Sequence, residues 1–146
     1  MKIKVLNEYS EGVANRIREL LIQLSRSGKD RGEIPKEWFD NLIASPYHDM
    51  LLAYDDNEEI VGIATLSIIM GPIVRKVAYL EDFVTDSSKR GKGIGSALWD
   101  EMLVWAKEKG CTELCFTSGY DREAAQEFYK NRGASIYDTN YFRKPL

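Results

Sequence analysis

Glu81-Asp82-Phe83-Val84-Thr85-Asp86-Ser87-Ser88-Lys89-Arg90-Gly91-Lys92-Gly93-Ile94-Gly95-Ser96 passes from an alternating segment, through a polar loop, into an amphipathic one. Ile73 to Thr85 reads as a long strand. Val77, Tyr79, Glu81 and Phe83 share one face, and Ala78, Leu80, Asp82 and Val84 the other. A bulge within the strand would shift that assignment. Beyond the loop, Ile94, Leu98, Met102 and Trp105 form a helical stripe, with Lys107, Lys109 and Gly110 as C-terminal signals. The three glycines between strand and helix let the backbone turn tightly and approach a ligand closely. The first helical turn presents unpaired amides at the positive end of its dipole. Arg90 and Lys92 add charge, so the loop suits a phosphate or pyrophosphate.

Other glycine-rich loops fit less well. A Walker A loop needs Gly-x-x-x-x-Gly-Lys-Ser/Thr, and no lysine followed by a hydroxyl residue stands at that place. A dinucleotide fingerprint needs G-x-G-x-x-G, whereas this loop gives G-x-G-x-G after a long polar segment. Glu113 lies at a tolerable distance for a ribose-binding acid, but the antiparallel strands upstream do not suit that fold. On the loop alone, a turn without a ligand stays open.

Upstream, Lys2 to Leu6 alternates like a strand, and Ser10 opens a helix carrying Val13, Ile17, Leu20, Leu21 and Leu24. Pro35 begins a short helix containing Trp38, Phe39, Leu42 and Ile43. Met50 to Tyr54 and Ile60 to Met70 read as a hairpin about the turn Asp55 to Glu59. Downstream come a strand (Glu113 to Thr117), a helix from about Arg122 to Asn131 capped by Asp121, and one or two strands within Ser135 to Arg143. The order is β-α-α-β-β-β-α-β-α-β(β), an α/β chain with a mixed, mostly antiparallel sheet. Without repeats or linkers, residues 1–146 read as one domain.

Composition narrows the function classes. The longest apolar stretch, Ile60 to Met70, is too short for a membrane span, which needs about 20 residues. The N-terminus shows no secretory signal, so a cytoplasmic protein without membrane partners is expected. A net charge of −3 and a pI near 5.3 argue against nucleic acid as a partner. Four strand steps would hold Cys111 and Cys115 about 13 Å apart at ~3.3 Å per residue, too far for a disulfide. With His48 as the only histidine, ligands for a structural zinc are lacking, and no metal is expected.

Glu81-Asp82-Phe83-Val84-Thr85, the Arg90-x-x-Gly93-x-Gly95 loop, its helix, and Phe128-Tyr129 with Gly133 together resemble the GNAT superfamily of N-acetyltransferases. The resemblance is good over Val77 to Gly133 and holds over Lys2 to Met70 only through element order. It implies a sheet splayed between the fourth and fifth strands, acetyl-CoA as acetyl donor, and an amine acceptor on a small molecule or protein. The backbone of Arg90, Gly91, Lys92, Gly93, Ile94 and Gly95 would hold the pyrophosphate, with Ser96 adding its hydroxyl. Phe83, Val84 and Thr85 would hold pantetheine as an added strand. A homodimer is implied by family habit. Ala134 stands where the family usually has an aromatic after the glycine.

The same resemblance makes Tyr129 the general acid toward sulfur, and a phenol of ordinary pKa, about 10, is protonated at neutral pH. Glu81 is the candidate base, directly or through water; a carboxylate near an apolar cleft has its pKa raised toward the useful range. Packing beside Phe128 and a strand salt bridge are the plain alternatives for these two residues. His48, Ser118 and Tyr120 are weaker candidates, with turn or surface roles as their alternatives. Trp38 and Phe39 read as core or cleft wall, and Trp99 as a partly exposed helix face. A non-catalytic acyl-CoA-binding or sensing module on the same fold is the rival function.

Overall fold

The computed structural model describes residues 1–73 and 75–146; Val74, inside the predicted Ile73–Thr85 strand, lies outside the described residues. The chain divides into two units, Met1–Phe116 and Thr117–Leu146.

The first unit carries the sheet: β1 (Lys2–Val5), α1 (Glu11–Leu24), α2 (Lys36–Ala44), β2 (His48–Tyr54), β3 (Ile60–Gly71), β4 (Arg75–Thr85), α3 (Ile94–Glu108) and β5 (Leu114–Cys115). The strands lie in the order β1-β2-β3-β4-β5, antiparallel as far as β4, with β5 parallel to β4. Ser10 caps α1 as its sequence predicts, its hydroxyl accepting from the Val13 amide at 3.3 Å. Pro35 stands at the N-cap of α2. Side chains of α1 and α2 (Ile17, Leu20, Phe39, Leu42) form a core on one face of the sheet with Met50, Leu52, Ile63 and Val84. On the other face α3 comes so close to β3 that a Cβ added to Gly62 would meet Leu98 Cδ1 at 2.9 Å and the Val84 carbonyl oxygen at 3.2 Å. Glycine at position 62 is what lets the helix settle there.

Trp99 departs from expectation. It is buried, 5% exposed, and meets Phe116 edge to face with ring centroids 5.8 Å apart. The stripe left Trp99 off the core face; the non-local Phe116 supplies its cover. Cys111 and Cys115 are both free thiols.

The second unit holds α4 (Glu123–Lys130), with Arg122, not Asp121, at its N-cap position. The strand or strands expected within Ser135–Arg143 do not form. Ile136, Tyr137, Tyr141 and Phe142 are each at least 76% exposed, and the Thr139 amide bonds locally to the Tyr137 carbonyl at 3.0 Å. A strand exists only through a partner's ladder, which an alternating sequence cannot guarantee. The order through α4 is the one read from the sequence.

Candidate active site

The segment between β4 and α3 is bolted down before the glycines begin. Asp86 is buried, 6% exposed, and its Oδ1 accepts from the Ser88 amide at 2.9 Å and the Ser88 hydroxyl at 2.8 Å, capping a 3₁₀ turn at Ser87–Lys89. Its other oxygen pairs with the Arg16 guanidinium of α1. Arg16 also donates to the Ile60 carbonyl at 2.8 Å, and Gln23 of α1 accepts from the Ser87 amide at 2.8 Å. On the far side Lys89 reaches Asp55 at 3.2 Å and Glu59 at 3.5 Å in the β2–β3 turn. A loop held from two sides has little ordering left to do when a ligand arrives.

Burial pushes the Asp86 carboxyl up, but the Ser88 and Arg16 hydrogen bonds outweigh it and hold the group at about 2. A depressed carboxylate stabilises the fold fully above its unfolded value, near 3.8, and the contribution is lost as pH falls through about 2. Asp86→Asn should therefore be less stable than the wild type at neutral pH, with the difference shrinking between about pH 4 and about pH 2. Urea unfolding across that window checks it, and a pH-independent difference would show the ion pair contributes nothing.

The glycines themselves are placed for a ligand. Gly91 and Gly93 have φ of 79° and 77°, in the left-handed region, and Gly93 is the N-cap of α3. Both are exposed, and a Cβ built on either would meet none of the described residues within 4 Å, its chain neighbours aside. The space above this turn is open. Arg90 and Lys92 are exposed beside it, while Ile94 is buried and pins the first turn of α3. The donor set (helix-start amides at 94–96 and two cations) matches a pyrophosphate. Among the described residues no group of His, Cys, Asp and Glu is arranged to hold a metal ion.

Before this loop, β4 pairs with β5 only briefly. Their ladder pairs Ala78 with Leu114 and Tyr79 with Cys115, and β5 stops there while β4 runs on to Thr85 along β3. Phe83, Val84 and Thr85 occupy that continuation, leading directly into the loop. Past that pairing β4 continues beside β3 without β5 in the ladder, and the candidate pantetheine and pyrophosphate residues follow one another along the chain.

The face assignment of β4 needs correction. Thr65 pairs with Asp82 but Leu66 with Leu80, so Glu81 is an extra residue in β4, a bulge. Ser67 of β3, 6% exposed, donates its hydroxyl to Glu81 Oε1 at 2.9 Å. Alternation along β3 puts Ser67 on the same side as Thr65, which stands opposite Asp82. Glu81 and Asp82, assigned to opposite faces by a regular strand, therefore share one. Glu81 is exposed and Asp82 half-buried; burial first, then the Glu81 charge, raises the Asp82 carboxyl, against the lowering effects of Thr65 and Arg31.

Tyr129 lies on α4 of the second unit, half-buried, its ring edge to face with Phe128 at 5.6 Å. Burial raises its phenol above the ordinary value, and Arg122 opposes this. His48, exposed, bonds through Nδ1 with the Ser45 hydroxyl at 2.8 Å, a local turn contact. Tyr120 is fully exposed. Sequence reasoning missed Asp86, Arg16 and Ser67. Arg16 and Asp86 are 70 residues apart and carry no local signal, while an acidic Glu81-Asp82 step inside an apolar strand was the available hint of a bulge.

The sequence model of the acetyltransferase (GNAT) family matches residues 14–134. Aminoglycoside N(6')-acetyltransferase type 1 of Klebsiella aerogenes is 30% identical over 116 residues, 75% of this chain and 74% of that protein. The enzyme of the same name from Acinetobacter baumannii is 25% identical over 124 residues, covering 80% and 84% respectively. In three dimensions, an aminoglycoside acetyltransferase from an uncultured soil metagenomic sample superposes with a TM-score of 0.84 at 22% identity, over 99% of this chain and 95% of that one. Ribosomal-protein-alanine N-acetyltransferase from Brucella melitensis gives a TM-score of 0.75 at 20% identity, over the whole of both chains. These two structures share the fold.

Proposed function

The chain belongs to the acetyltransferase (GNAT) family, and from that premise we propose that it is an acetyl-CoA-dependent N-acetyltransferase acting on a primary amine through a ternary complex. The observation that carries this reading is the unbroken run from Glu81 to Ser96. A carboxylate stands at one end, a strand edge without β5 in its ladder follows, and an open, pre-anchored anion cradle stands at the other.

In this reading the cradle, residues Arg90 to Ser96, holds the pyrophosphate, and Phe83, Val84 and Thr85 receive the pantetheine amides as a strand would. Bound acetyl-CoA supplies an activated thioester. The chain's own residues orient it and manage protons. Glu81, kept in place by Ser67, takes the amine's proton directly or through water, because only the neutral amine is a nucleophile. Tyr129 gives a proton to the departing sulfur. The reading takes residues 1–146 as one catalytic domain, working as a cytoplasmic homodimer without metal. Its acceptor is a small molecule before a protein lysine, since the relatives at 25–30% identity are named for aminoglycosides.

Calorimetric titration with acetyl-CoA, set beside free CoA, ATP and NAD, tests the cradle. Thiol release on adding amines tests the transfer. Micromolar, CoA-selective binding with amine-dependent thiol release is expected. Binding without release from any amine would favour the sensing module, and no CoA binding by folded protein would defeat the proposal.

A further inference from the structure

The bulge does more than turn one side chain. Bulges redirect side chains next to active sites, and in a classic one the two adjacent residues of the bulged strand oppose a single partner residue. Here the result is two carboxyls next to each other in sequence and on one face, Glu81 and Asp82. Each has its own attendant on β3. Ser67 donates to Glu81 at 2.9 Å. Thr65, opposite Asp82 and only 4% exposed, has a hydroxyl oxygen without a hydrogen-bond partner among the described residues. That hydroxyl is near enough to Asp82 to favour its charged form, yet not at bonding geometry. A buried hydroxyl left unbonded is costly, so the site gains when Asp82 moves onto it.

Resting on the transferase reading above, we propose that the base is the Glu81–Asp82 pair rather than Glu81 alone, the two carboxylates receiving the amine's proton together and Thr65 donating to Asp82 where it stays charged. The Glu81 charge makes a proton easier to bind at Asp82. Charged and titratable groups stand around it, among them Tyr79 of β4, in register with Ser67. Arg31, from the segment between α1 and α2, acts on Asp82 against protonation, and His48 stands in register with Ser67 at the end of β2. The ammonium R–NH3+ loses one proton to the pair and becomes R–NH2. Nitrogen then forms the C–N bond as the C–S bond breaks and the Tyr129 proton moves to sulfur. The second nitrogen proton restores the phenol through water. The pair's proton passes to solvent, one for each amide made.

The test is the pH profile of kcat/KM for the wild type, Glu81→Gln, Asp82→Asn and the double variant, each with its acetyl-CoA Kd as a check of the folded cofactor site. Each single variant keeps one carboxylate. It should lose only about 3–10-fold, and in Glu81→Gln the acid limb should move to lower pH because the charge beside Asp82 is gone. The double variant should lose about 10²-fold or more and have no such limb. Thr65→Val, which keeps the strand and removes the donor, should move the limb to higher pH. Glu81→Gln already as inactive as the double variant would overturn the pair, as would Asp82→Asn with an unchanged rate. An unmoved limb in Thr65→Val would do the same for the arrangement as drawn. These failures leave wild-type thiol release intact. A wild type that binds acetyl-CoA but releases no thiol fails the transferase reading itself, and the pair with it.

Discussion

Acetyl-CoA affinity is expected to fall about 100-fold or more in Gly93→Val while the protein stays folded. Gly93 sits at φ 77° as the N-cap of α3, where a β-branched residue is a rare outlier. Holding valine there costs about 1–3 kcal/mol, a load most domains survive. Its chain neighbours aside, no heavy atom of the described residues lies within 4 Å of the added Cβ, so the new side chain projects into the open space above the turn. That is the space assigned to the phosphates. If the backbone instead relaxes toward negative φ, the turn changes and the amides at 94–96 no longer converge on one point. Either route removes the same contacts. A 100-fold loss corresponds to about 2.7 kcal/mol, within reach of a few charge-assisted hydrogen bonds. Calorimetric titration beside a thermal melt separates the two effects, with Gly93→Ala, smaller and unbranched, falling in between. Tight binding retained by folded Gly93→Val would remove the loop from the cofactor site.

That loop was legible because its signals are local. Positive φ at Gly91 and Gly93, the start of α3 and the core position of Ile94 are all written within a few residues. The same holds for the Ser10 cap and for the hairpin strands, whose apolar runs end at turn residues. What sequence could not give is what another segment decides. The Glu81 bulge is defined by the pairing of Thr65 and Leu66, so the two faces of β4 could not be assigned from β4 alone. The loop's anchor on Arg16 crosses 70 residues, and the burial of Trp99 depends on Phe116. The C-terminal segment makes the converse point. Ile136, Tyr137, Tyr141 and Phe142 have strand-like composition, but composition supplies no partner, and these side chains remain exposed. The corrected face of β4 changes the chemistry most, since it turns one candidate base into two carboxyls with β3 hydroxyls beneath them.

Turnover is expected to fall about 10²-fold in Tyr129→Phe with acetyl-CoA affinity unchanged within about twofold. The substitution deletes one oxygen and keeps the ring, so the edge-to-face contact with Phe128 at 5.6 Å persists. Thiolate is a better leaving group than the amine, but without a proton donor it departs as an anion into a site that must then neutralise it. Supplying that proton in place is worth about 10²–10⁴-fold in general acid catalysis. The direction of the phenol's shift adds a second readout. Burial raises Tyr129 above the ordinary value, so the donor stays protonated through neutral pH and the wild-type kcat should decline only above about 10. Tyr129→Phe has no proton to lose and should show no such alkaline decline. The two observations belong together, because a general loss of packing would lower kcat without erasing one limb of its profile. A Phe variant with wild-type turnover would take Tyr129 out of the mechanism. One with lower turnover and an intact alkaline limb would assign that limb, and the acid, to another residue.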